Sequence, residues 1–279
     1  MTMPAPLREP TAQAWDGIAG SFDENITPLN MSLGERLLRL AGLRPDERFL
    51  DVAAGTGALA VPAARMGARV LAADFSPGMV ARLAARARDE GLLGVEARVM
   101  DAQALDLDDG VFDLTGSLNG VTMLPELGRG LAEMVRVTKP GGRVMVAAFG
   151  APPPRTEFLG FFVAAVSAAV PGFAPPPLDP PPPPFQLADP ERMRRALNDS
   201  GLRDVRVETV DWTMEIGSPE HLWEIVASGH PVGAMMAAAV PREHRRAVRH
   251  ELAARLRERA DGDGPALLTN PMNVGIGTR

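Results

Sequence analysis

The chain has 279 residues, with 29 basic against 35 acidic side chains and a formal net charge of −6. That balance excludes a general binder of phosphate backbones, which needs a basic face. The absence of cysteine excludes disulfides, thiol nucleophiles and thiolate metal sites, the absence of tyrosine removes the phenol as a base, and a chain this long buries roughly 75% of its extended-state surface without such staples.

The opening residues, Met1 to Pro10, hold no apolar run, so no secretory signal is expected. Residues 11–40 read as helical with one break. Trp15, Ile18, Ala19 and Phe22 recur at helical spacing, Thr27-Pro28 interrupts, and Met31 to Leu40 resumes. Arg48 to Ala53 is a short apolar strand that runs into glycines. Thr56 to Met66 reads as a helix whose early turns Pro62 should distort. Ala68 to Ala73 is a second strand and Pro77 to Asp89 a helix with proline at its start. Val95 to Met100 and Val111 to Gly116 are further strands. Leu124 to Thr138 is a helix stopped by the turn signal Lys139-Pro140-Gly141-Gly142, and Arg143 to Phe149 a fifth strand. Strands alternating with helices imply right-handed crossovers and an α/β protein with a mostly parallel sheet covered on both faces.

After Gly150 the alternation stops. Glu157 to Val170 reads as an apolar helix, and its greasy stretch is about 13 residues, short of the roughly 20 that cross a bilayer. A soluble, cytoplasmic chain without a membrane span is therefore the expectation. Ala174 to Phe185 carries eight prolines in a dozen residues. A stiff polyproline spacer is the plain reading, and a docking site for a proline-binding module the sharper one. Asp189 to Asn198 is a helix with Asp189 as N-cap and Pro190 at its first position. Asp204 to Ile216 is a long strand, residues 219–260 are helical, and Met272 to Thr278 supplies a final strand.

The densest signal is Phe49-Leu50-Asp51-Val52-Ala53-Ala54-Gly55-Thr56-Gly57, a glycine turn between a strand and a helix. A Cβ there would obstruct a ligand approaching the backbone. Gly55, Gly57 and Ala60 also satisfy the dinucleotide pattern G-x-G-x-x-G/A. Asp51 argues against that ligand, since a carboxylate repels a diphosphate and attracts an ammonium group. Asp74 ends the second strand about 20 residues after the glycines, where a carboxylate can accept from both ribose hydroxyls. Asp101-Ala102 ends the third strand, where an acidic side chain suits an adenine amino group. Ser117-Leu118-Asn119-Gly120 ends the fourth. All four lie at the carboxyl ends of strands, the edge where open α/β sheets bind ligands.

Residues 49–150 resemble the class I S-adenosylmethionine-dependent methyltransferases. The resemblance rests on Leu50 to Gly57, on Ala73-Asp74-Phe75-Ser76-Pro77-Gly78-Met79, on Met100-Asp101-Ala102 and on Glu133 to Arg143 with its Lys-Pro-Gly-Gly turn. The last is similar to the ubiquinone/menaquinone C-methyltransferase branch. Ala14-Trp15-Asp16-Gly17-Ile18-Ala19 with Phe22-Asp23 looks like that branch's N-terminal lid, Phe22 standing where tyrosine is more usual. The family implies a Rossmann-like, doubly wound seven-stranded sheet with an antiparallel last strand, plus helical lid insertions. The expected organisation is an N-terminal helical lid over 1–45, a cofactor-binding core over 46–150, a Pro-rich lid insertion over 151–188, and the rest of the core over 189–279 with a helical insertion at 218–262.

The resemblance implies S-adenosyl-L-methionine as cofactor. Ala53, Gly55, Thr56 and Gly57 would wrap its methionine part, and Asp51 would contact its amino group. Asp74 would hold the ribose, Phe75 and Met79 the adenine face, Asp101 and Ala102 the adenine edge, and Ser117 and Leu118 the sulfonium side. The implied reaction is in-line methyl transfer to a hydrophobic small molecule, such as a natural-product intermediate. Oxygen, nitrogen and carbon acceptors stay open, and so does homodimerisation. Orientation alone contributes roughly 7–11 kcal/mol, which makes a dedicated base optional. Base candidates are His230 and His221 in the helical insertion, with Asp16, Asp23 and Glu24 in the lid as weaker ones. His244 and His250 sit on an Arg-rich helix and read as solvated. The acceptor pocket is expected to be lined by Trp15, Phe22, Asn119, Phe158, Phe162 and Trp223, with Phe161 and Trp212. A non-methylating relative that keeps the cofactor pocket, and a nicotinamide oxidoreductase, are the competing readings.

Overall fold

The computed structural model describes residues 11–175, 177–260 and 264–279. The leading segment that bore on a secretory signal lies outside them. Among the described residues seven strands form one sheet in the order β3-β2-β1-β4-β5-β7-β6. They are β1 (Arg48–Val52), β2 (Arg69–Asp74), β3 (Val95–Val99), β4 (Phe112–Leu118), β5 (Thr138–Phe149), β6 (Arg203–Ile216) and β7 (Ala266–Thr278). β1 to β5 run parallel, and β7 inserts antiparallel between β5 and β6.

Alternation along β1 sends Phe49 to one face of the sheet and Leu50 and Val52 to the other. On the first face Phe49, Leu114 and Met145 pack with α3 (Thr27–Leu40), α4 (Ala60–Arg65), α5 (Pro77–Asp89), α7 (Glu157–Ala169), α9 (Pro219–Gly229) and α11 (Arg245–Arg259). On the second face Leu50, Leu71 and Val146 pack with α6 (Leu127–Val137) and α8 (Pro190–Asp199). Two short N-terminal helices, α1 (Ala12–Asp16) and α2 (Ala19–Asn25), precede α3, and α10 (Pro231–Ala239) follows α9.

Several boundaries differ from the sequence reading. The helix expected from Thr56 starts only at Ala60, because the glycine turn occupies the intervening residues. Pro62 then falls in the first turn, where its missing N–H breaks no helical bond. The helix expected from Leu124 starts at Leu127, after a 3₁₀ turn over Val121–Met123. Thr27-Pro28 opens α3 instead of interrupting a helix, since proline suits a first turn. Lys139 to Gly142 do not separate helix from strand. They bulge out of β5, which pairs Thr138 with Phe112 and then Arg143 with Leu114. The helical region 219–260 is broken at His230-Pro231 and at Val240-Pro241. β7 begins at Ala266, six residues before the expected Met272, because the long β6 pairs with it beyond the end of β5.

The proline tract ends in a 3₁₀ turn at Pro183–Phe185. Phe185 and Leu187 behind it are buried, and the Asn273 side chain donates to the carbonyls of Leu187 and Ala188. Among the described residues no helix is long and apolar enough to cross a membrane.

Candidate functional site

The site is assembled at the carboxyl ends of β1, β2 and β4. Ala53 and Gly55 both take left-handed backbone, at φ +54° each. Only glycine adopts that conformation freely, so Gly55 lets the chain double back at the strand end, and Ala53 carries local strand-end strain. A second turn abuts it. Asn119 is also left-handed, at φ +56°, and Gly120 comes so close that a Cβ there would stand 2.5 Å from that of Ala53. The two turns are therefore shaped to each other.

Asp51 and Asp74 flank this turn and are buried. The Ala60 N–H donates to Asp51 Oδ2 at 2.9 Å, so this carboxyl caps α4. Asp74 accepts from the Gly55 N–H at 2.8 Å with one oxygen and from the Ser76 N–H at 2.9 Å with the other. Its first structural task is thus to pin the glycine turn to the end of β2. Burial pushes the Asp51 carboxyl up to about 8, against the Ala60 hydrogen bond and with help from the nearby Asp74. Burial also raises Asp74, although its backbone hydrogen bonds oppose the shift. Among the described residues no salt bridge reaches either carboxyl. Two buried carboxyls around a bare turn, without a protein cation, form a site that a cationic ligand would relieve.

The other expected cofactor contacts are distributed unevenly. Thr56 is buried and its hydroxyl bonds that of Thr27 on α3. Ser117 is buried and its Oγ accepts from the Val121 N–H at 3.1 Å. Met79 and Ala102 are buried, Leu118 is half-buried, and Phe75 and Asp101 are exposed. The Gln103 N–H donates to Asp101 Oδ1 at 2.8 Å. Met100, just before Asp101, donates its N–H to the Asp74 carbonyl, which ties the third strand end to the second. Asn119 Oδ1 is buried with no partner among the described residues, an acceptor left over beside the turn.

The N-terminal helices lie across this rim. The Phe22 ring stands 3.5 Å from where a Cβ on Gly55 would be. Trp15 meets Phe22 edge-on at 6.2 Å and the His230 ring edge-on at 5.1 Å. One chain of contacts therefore joins the glycine turn, the N-terminal helices and the α9–α10 junction. Asp16 fastens α1 to α5 by accepting from Ser76 Oγ at 2.6 Å and from the Gly78 N–H at 2.7 Å. The Ser76 hydrogen bond, then that of Gly78, lowers its carboxyl below the usual range. Asp23 forms a two-pronged ion pair with Arg86 on α5, the closer contact at 2.6 Å. Through these partnerships Asp16 and Asp23 fasten α1 and α2 to α5, in place of the free carboxyls expected of bases. Sequence inspection alone missed both partnerships, as well as the Thr27–Thr56 bond, because each joins residues far apart in the chain.

The histidines divide. His230 caps α10, accepting the Val232 N–H at Nδ1 at 3.1 Å, while its Nε2 is buried with no partner among the described residues. Burial pulls its pKa down to about 4. A neutral ring that accepts at Nδ1 carries its proton on Nε2, so His230 presents a hydrogen-bond donor and not a base. His221 lies in the first turn of α9, where its backbone N–H donates to Ser218 Oγ at 3.0 Å and its Nδ1 takes the Gly217 N–H at 3.4 Å. His250 is exposed, as expected, and His244 is half-buried.

The aromatic lining needs correction. Phe158, Phe162, Trp212 and Trp223 are buried and pack into one another, with Phe162 against Trp223 at 5.5 Å and Phe158 against Trp212 at 6.5 Å. They form the core that seats α7 and α9 on β6 and β7, and Phe161 packs against that core. Trp15, Phe22 and Asn119 remain at the rim. An open groove of about 870 Å³ by β2 and β3 touches none of the expected site residues. Among the described residues no cluster of three or more potential ligands could hold a metal ion.

The methyltransferase domain family matches residues 50–146. The demethylmenaquinone methyltransferase of Renibacterium salmoninarum is 37% identical over 164 residues, which cover 56% of this chain and 67% of that protein. The protein of the same name from Beutenbergia cavernae is 40% identical over 159 residues, 52% of this chain and 64% of that one. The chain spans roughly three fifths of the length of the curated relatives it matches. The structure also resembles a phosphoethanolamine N-methyltransferase of Haemonchus contortus solved with S-adenosylhomocysteine. The TM-score is 0.55 at 19% identity, over 89% of this chain and 52% of the other.

Proposed function

The chain belongs to the class I S-adenosylmethionine-dependent methyltransferases, and from that premise we propose that it methylates a hydrophobic small molecule bound beneath its N-terminal helices. The observation that carries the reading is the pair of buried carboxyls, Asp51 and Asp74, around a left-handed glycine turn. A cationic amino-acid ligand suits that pair, and a diphosphate does not. When bound, S-adenosylmethionine supplies a methyl group activated on a cationic sulfonium.

Asp51 would hold the ligand's ammonium group, and Asp74 its ribose, through the lone pairs that Gly55 and Ser76 leave free. Ala53 and Gly55 to Gly57 would wrap the methionine chain. Phe75 and Met79 would take the adenine face, Asp101 and Ala102 its edge, and Ser117 and Leu118 the sulfonium side. Trp15 and Phe22 would shield the reacting atoms from water and wall an apolar acceptor. That chemistry fits relatives named for a demethylated quinone. His230 would donate its Nε2 proton to an oxygen of the acceptor and so orient it, acting as a positioning group and not as a proton acceptor.

Calorimetry with S-adenosylhomocysteine and with NAD tests the cofactor assignment. Binding of the former alone is expected, and binding of NAD alone would overturn it. Release of S-adenosylhomocysteine in the presence of a panel of phenols and reduced naphthoquinones tests turnover. Cofactor binding without release on any acceptor would favour a non-methylating relative.

Two further outcomes follow from the titrating groups. The Asp51 carboxyl, raised to about 8 in the folded chain, is protonated at neutral pH, and an ammonium ligand would drive its proton off. Binding of S-adenosylhomocysteine should therefore release a proton and tighten between pH 6 and 8 by at most about tenfold per unit, as one-proton linkage dictates. Calorimetry near neutral pH in two buffers of different ionisation heat measures that proton, and equal heats would contradict the ammonium contact. For His230, His230→Ala should lower kcat by roughly 10-fold or more, as loss of a buried donor would. His230→Gln, which can still donate, should recover part of it. An acid limb in the pH–rate profile that vanishes in both variants would instead identify His230 as a base.

A further inference from the structure

We propose that two copies of this chain associate through the outer edges of their β3 strands, paired antiparallel about Ala97. β3 is one of the two terminal strands of the sheet, β6 being the other, and among the described residues it is bonded to β2 on one side only. The Gly94 carbonyl and the Met100 N–H both bond to β2. Alternation then turns the backbone groups of Glu96 and Arg98 toward β2 and those of Ala97 and Val99 outward, where they have no partner among the described residues. Such an edge is a template for another strand.

The occupant follows from the sequence of the edge itself. β3 reads Val95-Glu96-Ala97-Arg98-Val99, which is complementary to its own reverse. In a twofold antiparallel pair centred on Ala97, Glu96 of one copy lies opposite Arg98 of the other, and Val95 opposite Val99. Both charge pairs are then satisfied at once, the self-complementarity that a twofold interface demands. Because the outward backbone groups belong to the odd-numbered residues, Ala97 meets Ala97 as a hydrogen-bonded pair. Glu96 and Arg98 fall at the non-hydrogen-bonded positions, where opposed side chains come closest.

The surroundings favour the same occupant. Among the described residues the Glu96 and Arg98 side chains, 60% and 48% exposed, bond only each other, at 2.7 Å. Of the five large apolar side chains exposed among the described residues, Val99 lies on β3 and Leu93 just before it. The segment between β3 and β4 contains no helix, which leaves the face carrying Glu96 and Arg98 open as the groove described above.

Sedimentation over a dilution series tests the pairing with the whole chain. The native chain should dimerise. Glu96→Arg and Arg98→Glu each set like charges opposite at two symmetric positions, and each should weaken self-association roughly tenfold or more. Mixing the two variants restores both opposite-charge pairs and should restore the dimer. The proposal is overturned by a native chain that stays monomeric throughout, by variants that dimerise as the native chain does, or by a mixture that stays monomeric. Circular dichroism of each variant verifies that these exposed substitutions leave the fold intact.

Discussion

Asp74→Ala should raise the dissociation constant for S-adenosylhomocysteine at least about a hundredfold, a loss of roughly 2.7 kcal/mol. Two effects add. The variant loses the charged acceptor proposed for the ribose hydroxyls, and bonds to a charged group contribute about 1.5–3 kcal/mol. It also frees the N–H groups of Gly55 and Ser76, both of which now end on this carboxyl. With the Gly55 bond gone, the left-handed turn loses its anchor to β2. Asp74→Asn keeps one acceptor oxygen but turns an NH₂ toward the other backbone donor, so its loss should be intermediate or larger. Removing Asp74 also removes a like charge beside Asp51, whose carboxyl should then titrate lower. Calorimetry on the two variants, with unfolding curves to separate affinity from stability, makes the measurement. An affinity unchanged in Asp74→Ala would contradict the assignment of the rim as the adenosyl site.

Gly34→Ala should destabilise the chain by about 3 kcal/mol, the upper range for overpacking a close-packed contact. Alanine is ordinarily better than glycine inside a helix by up to about 1 kcal/mol, so propensity alone predicts the opposite sign. Geometry decides the matter. Gly34 is buried in α3, and a Cβ there would stand 2.1 Å from the Ala58 carbonyl oxygen. That neighbour is backbone and cannot rotate away, so the helix or the turn must move. Ala58 directly follows Gly57, and Thr27 on the same helix bonds Thr56. A displaced α3 therefore disturbs the glycine turn as well, and cofactor affinity should fall together with stability. Chemical denaturation gives the first quantity and calorimetry the second. A Gly34→Ala chain as stable as the native one would show that α3 does not rest on the turn as described.

The contrast between these two residues shows how much of the site was legible in the sequence. Asp74 stands at a strand end a fixed distance after a glycine turn, and local patterns carry such information. Gly34 is an unremarked glycine in an amphipathic segment, and only the approach of a distant backbone gives it meaning. The aromatic residues divide in the same way. Trp15 and Phe22 lie beside the glycine turn, whereas Phe158, Phe162 and Trp223, aromatic too, belong to the core. An apolar ring reads identically in sequence whether it faces a ligand or another ring. His230 was legible as a histidine with extended backbone before a proline, φ −163°. That its Nδ1 caps the next helix, which leaves the ring a donor, was not.

By itself the sequence determined the alternation of strands and helices, the parallel core, the glycine turn and the carboxylates at its strand ends. Periodicity, turn residues and caps act over a few residues and are written where they act. Tertiary structure alone decided which side chains remain available at the rim, where the N-terminal helices fasten, and which strands form the two edges of the sheet. Those outcomes depend on contacts between residues far apart in the chain, such as Asp16 with Ser76 and Phe22 with Gly55, and burial then sets the charge state of Asp51 and His230. No local pattern encodes a distance that exists only after the chain has closed on itself.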